Sequence, residues 1–149
     1  MRTNLSPYTG LSLGQLALLA GGDLLVILSF VWVGRESHQM SLTDIGASLA
    51  TAFPFVVGWF GVMPWFGIYT ARVSEDWRRL LPRLLGGWLV AGTIAVVLRT
   101  VMLGRPLPWG IIPMFAVVSM AYIALVALLW RLGYIWWLQR SQKAEIREA

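Results

Sequence analysis

Four runs of about twenty apolar residues, separated by short polar stretches, set the class of this chain before any single residue is weighed. They cover about residues 13–33, 47–66, 84–103 and 109–132 of the 149. At about 1.5 Å of rise per residue, some twenty residues cross a hydrocarbon layer of roughly 30 Å. Backbone in lipid must satisfy its own hydrogen bonds, so each run predicts a helix. The four spans use over half of the chain, which leaves only short connections and tails. The expected fold is all-α: one integral membrane domain over 1–149, a bundle of four transmembrane helices with a tail from 133 to 149. Only 13% of the residues are charged, well below the quarter usual in soluble domains.

The net charge of +5 does not point to nucleic acid, because the basic residues flank apolar segments and form no single patch. Arg72, Arg78, Arg79 and Arg83 lie between spans two and three, and Arg140, Lys143 and Arg147 follow span four. The other two connections carry only Arg35 and Arg105. By the positive-inside rule both termini and the middle connection are cytoplasmic, in an inner or plasma membrane. The first run is expected to stay as a span. It is longer than a signal core, only Arg2 precedes it as a basic residue, and Gly34-Arg35-Glu36 is not a small-x-small cleavage site.

Between spans two and three, Ser74 precedes Glu75 and Asp76 as a candidate helix cap. Trp77, Leu80 and Leu81 then fall on one side and Arg78 and Arg79 on the other, with Pro82 before span three. This pattern predicts a short interfacial helix with Arg78, Arg79 and Arg83 at lipid headgroups; a solvated loop is the alternative. Pro54 and Pro64 predict a kink in span two, where Gly58 and Gly61 thin the helix. Ala17 and Gly21, then Gly87, Ala91 and Ala95, repeat small residues at four-residue spacing, which lets backbones approach closely. Trp32, Trp65, Trp109, Trp136 and Trp137 lie near span ends, where indoles favour the headgroup level; Trp59 and Trp88 fall further in.

Besides Arg131 at the end of the fourth run, two charges stand inside the apolar runs, Asp23 in the first and Arg99 in the third. A charge there costs roughly 2.5–3.5 kcal/mol on insertion scales, so it is usually paired or functional. Asp23 is expected near mid-membrane and Arg99 about 7 Å nearer the outer surface, within reach of an arginine side chain. Gly92 and Ala95 share the direction of Arg99, a small face suited to the bundle interior. The expectation is an Asp23–Arg99 pair, read as a structural tie, a site for an anionic or protonatable ligand, or a contact with a partner subunit. Arg131 reads as a snorkelling residue at the cytoplasmic end of span four.

His38 is the only histidine and the chain has no cysteine, so no metal or cofactor set is in view. Glu36 and His38 form an accessory polar site in the first external connection, with proton response as its sharper reading. Ser29 and Ser119 have no histidine base nearby in sequence, and no phosphate-binding glycine loop occurs.

Asp23, His38, Gly58-Trp59, Arg99 with Gly104, and Trp130-Arg131, over about Leu16 to Arg131, resemble the family of four-span bacterial and archaeal membrane proteins labelled domain of unknown function 3054. The resemblance implies a four-span membrane protein and brings no activity, cofactor or substrate. The residues together predict a non-enzymatic protein acting as a homo-oligomer or an accessory subunit of a membrane complex. A small transporter or channel using Asp23 and Arg99 is the alternative.

Overall fold

In the computed structural model, which describes residues 9–41 and 43–148, with side chains as far as Ser141, five α-helices form a single bundle. Arg2 and the side chains of Lys143 and Arg147 lie outside the described residues. The helices are α1 (Leu13–Ser37), α2 (Ile45–Val62), α3 (Ala71–Ser74), α4 (Trp77–Met102) and α5 (Pro113–Glu148). Four segments are long and apolar enough to cross a membrane: Leu13–Ser37, Ile45–Phe66, Trp77–Met102 and Pro113–Ser141.

The helix starts follow from local chemistry. Ser12 and Gln15 form a capping box: the Ser12 hydroxyl accepts the Gln15 N–H at 3.2 Å and the Gln15 side chain accepts the Ser12 N–H at 2.9 Å. Asp44 caps α2 by accepting the Ala47 N–H at 2.9 Å, and Asp76 caps α4 by accepting the Arg78 N–H at 3.0 Å. α2 runs unbroken through Pro54 and tightens into a 3-10 turn over Met63–Phe66. Gly67 then ends it with φ of +71°, a left-handed conformation that a side chain would strain.

α1 packs on α2 and α5, and α4 packs on the same two helices, so α1 and α4 sit across the diagonal. The α2–α4 pair is the closest. There Gly58 meets Ala91 and Ala95 so tightly that a Cβ at 58 would stand 2.6 Å from the Ala91 carbonyl oxygen. Gly87, on the same stripe of α4, lies under Met63 and Phe66. The small residues of span three are thus packed within the protein, as their spacing predicts. Those of span one are not: Ala17 and Gly21 face outward, and a Cβ at Gly21 would meet nothing within 4 Å.

Two layers fill the interior. Away from the chain termini, Phe30 packs edge-on against Phe55 (5.2 Å between ring centres) and Phe115 (6.2 Å), with Tyr122 at 5.7 Å. Toward the termini a polar cluster around Asp23 sits within apolar packing that includes Leu19, Met63 and Leu84. Trp59 and Trp88 are buried there, whereas Trp32, Trp65, Trp109, Trp136 and Trp137 are exposed.

The connection from α2 to α4 contains a short helix, as expected, though not over the stretch that the pattern picks out. Its short helix is α3, and the amphipathic stretch 77–81 is the opening of α4, which continues through Pro82. Ser74 caps nothing; its hydroxyl donates to the Ile68 carbonyl at 2.7 Å and holds the connection in a tight fold. Ile68, Tyr69, Val73 and Ser74 are all buried, so the segment closes the bundle end instead of lying across the surface. The Ala71 N–H fastens it to the Thr9 carbonyl at 2.8 Å.

Candidate functional site

Asp23 stands ten residues after the start of α1 at Leu13, and Arg131 stands in the second half of α5, which runs toward the same end of the bundle. The two helices are antiparallel neighbours, and their packing brings the two side chains to one level, about 15 Å along α1 from its start. Arg131 grips Asp23 side-on. Its Nε donates to Oδ1 at 3.1 Å and its Nη2 to Oδ2 at 2.5 Å. The third guanidinium nitrogen, Nη1, donates to the Ile68 carbonyl at 3.0 Å. The pair is sealed, with Arg131 1% and Asp23 0% exposed.

Two aromatic donors complete the shell. The Tyr69 hydroxyl donates to Asp23 Oδ2 at 2.6 Å. The Trp59 indole N–H is shared between Asp23 Oδ2 at 3.1 Å and the Tyr69 oxygen at 3.0 Å. Four donor contacts reach the carboxylate, three at Oδ2 and one at Oδ1. The Tyr69 ring also lies under the guanidinium, 4.9 Å from its carbon, and stacks on Phe60. Burying both charges is expensive, and only complete pairing with good geometry offsets that cost. The arrangement supplies it. With Asp23 0% exposed, neither a ligand nor bulk water reaches the carboxylate from solvent.

Burial holds the Tyr69 phenol above its ordinary pKa of 10.0, and the negative charge of Asp23 pushes it the same way. The phenol therefore remains a donor to the carboxylate. Tyr69→Phe deletes one hydrogen bond to a charged acceptor and should lower stability by about 1.5–3 kcal/mol near pH 8. A folded pKa above the unfolded one gives a contribution that is full below the unfolded value and fades as pH rises beyond it. The gap between the native chain and Tyr69→Phe should thus narrow between about pH 9 and about pH 11 in unfolding titrations. A gap that widens over this range would contradict the geometry.

Arg99, the expected partner, is not joined to Asp23. α1 and α4 face each other across the diagonal, and Arg99 sits in the last turn of α4, its guanidinium carbon 4.8 Å from the centre of the Phe115 ring. Arg131 takes the place because α5 continues well past 132, which puts it inside the span and not at its end. Glu36 and His38 are exposed at the end of α1 and belong to no ion pair among the described residues. Arg79 bonds Asp76 at 3.2 Å in the first turn of α4, Arg78 lies over the Trp77 ring, and Arg83 approaches Gly67.

Tyr69 and the Ile68 carbonyl are site groups that hydropathy could not reveal, because they come from a connection. Trp59 and Arg131 left a trace, as members of the two dipeptides that carry the family resemblance.

The family model described as a protein of unknown function, DUF3054, matches residues 20–134. The matched stretch holds Asp23, Trp59, Tyr69 and Arg131 together, and the chain belongs to this family. No curated protein and no solved structure matches it.

Proposed function

We propose that this member of the family is a non-enzymatic subunit of an inner or plasma membrane, with both termini in the cytoplasm. It works as a homo-oligomer or within a larger membrane assembly. The observation that carries the reading is the closure of the Asp23–Arg131 pair. A carboxylate that couples transport must meet water or substrate in some state. Asp23 is instead sealed from solvent and held by protein donors, and the ties run between α1, α2, α5 and the α2–α4 connection. That is the layout of a clamp on the bundle. Assembly is supported by the outward stripe of Gly14, Ala17 and Gly21 on α1, where lipid offers no hydrophobic drive and close backbone approach favours a second helix. Orientation rests on Arg72, Arg78, Arg79 and Arg83 at the end that carries the termini.

Native mass measurement on the full chain, extracted with its lipid, should give a fixed self-assembly or a fixed stoichiometry with another membrane protein. A cysteine placed at Gln39 should be labelled from outside intact cells. A lone chain that moves solute across proteoliposomes would overturn the subunit reading, and labelling at 39 only after lysis would reverse the orientation.

A further inference from the structure

Interior arginines in this bundle are supplied with acceptors. Arg131 has Asp23 and the Ile68 carbonyl, and Arg35, buried at the end of α1, donates through Nε and Nη2 to the Ser41 carbonyl. Arg99 departs from this pattern. It is half-buried, held over the Phe115 ring, and its guanidinium meets no carboxylate or carbonyl acceptor among the described residues. A guanidinium carries five donors, and leaving them unmade away from bulk water is costly.

The neighbourhood of Arg99 is a built pocket of about 260 Å³ at the end of the bundle away from the chain termini. Its second cation is Arg105. The Arg105 N–H donates to the Thr100 carbonyl at 3.1 Å, which folds the α4–α5 connection back onto the helix. Gly104, at φ of +67°, makes that turn. Gly110 then closes over Arg105 so tightly that a Cβ there would stand 2.5 Å from the Arg105 Cβ. No acidic residue lines the pocket. Two arginines lining one space repel each other unless an anion lies between them. A forked guanidinium matches two oxygens of a phosphate, and the space is several times the roughly 30 Å³ share of one water molecule.

We propose that Arg99 and Arg105 form a binding site for a phosphate-class oxyanion at this end of the bundle. Arg99 lies within one turn of the end of α4 at Met102, the depth at which spans meet headgroups. The oxyanion can therefore be the phosphodiester of a lipid or free phosphate, and the chemistry that recognises it is the same.

The test uses the full chain in phosphate-free neutral detergent, with phosphatidylglycerol and inorganic phosphate as separate probes. Retained lipid is read by native mass measurement, and inorganic phosphate by calorimetry against chloride of equal ionic strength. One probe or both should bind the native chain, and Arg105→Gln should weaken that binding by about tenfold or more. Arg99→Gln with Arg105→Gln should abolish it. Binding of phosphatidylglycerol alone identifies a headgroup site, and binding of inorganic phosphate alone a soluble-anion site. The proposal fails if neither probe binds above the chloride control, or if Arg105→Gln binds both as the native chain does. Arg105 lies exposed in a connection, so its variant decides the matter even if changes at Arg99 prevent folding.

Discussion

Asp23→Asn, or Arg131→Gln, should each destabilise the folded chain by about 3–5 kcal/mol, because either change strands a buried partner charge. Asn at 23 keeps the shape but carries one acceptor oxygen and an NH2 group. Arg131 approaches both oxygens, and Tyr69 and Trp59 both approach Oδ2, so in either orientation an NH2 meets another donor. Gln at 131 leaves the carboxylate with the two aromatic donors alone and frees the Ile68 carbonyl. The double variant should recover much of the loss, since both uncompensated charges vanish together. Equilibrium unfolding in detergent micelles measures the cycle. Strictly additive losses would show that the pair does not hold the bundle. Arg99→Gln is the internal control, for it shares no partner with Asp23 and its loss should simply add to that of Asp23→Asn.

The contrast between Arg131 and Arg99 also shows how far the sequence could be read. Hydropathy places four spans, and the structure has four helices long and apolar enough to cross a membrane near those positions. It likewise marks Asp23 as a charge in need of a partner. Choosing the partner needs two facts that hydropathy does not contain. One is which helices are neighbours: two hairpins in a bundle leave α1 facing α4 across a diagonal, and no periodicity within α1 or α4 records this. The other is where span four ends. Arg131 looks terminal because polar and aromatic residues follow it, yet α5 continues over Trp136, Trp137 and beyond, so Arg131 lies several residues deeper than the apolar run suggests. Tyr69 was hidden for a different reason. Connections normally run over the surface, and this one turns inward because Ser74 and the Thr9 carbonyl tie it down. The small residues at four-residue spacing were half legible: the period identifies a face that admits another backbone, but not whether that backbone belongs to the same chain.

Gly58→Ala should be the other severe single change, and its effect should reach the polar site. The added Cβ would stand 2.6 Å from the Ala91 carbonyl oxygen and 3.2 Å from the Ala95 Cβ. A backbone carbonyl in mid-helix cannot swing aside, so α2 and α4 must separate along their closest contact. Overpacking of this kind costs about 1–3 kcal/mol. The adjacent Trp59 adds to it, since its ring packs at 5.3 Å on Trp88 and its N–H reaches Asp23, so moving α2 disturbs both contacts. Gly61→Ala provides the comparison on the same helix, because a Cβ at 61 meets nothing within 4 Å. It should leave stability unchanged, or raise it by up to about 1 kcal/mol through helix propensity. Unfolding midpoints of the two variants should therefore move apart. Equal midpoints would mean that the two helices do not approach closely at Gly58, and the small-residue stripe of α4 would then need another explanation.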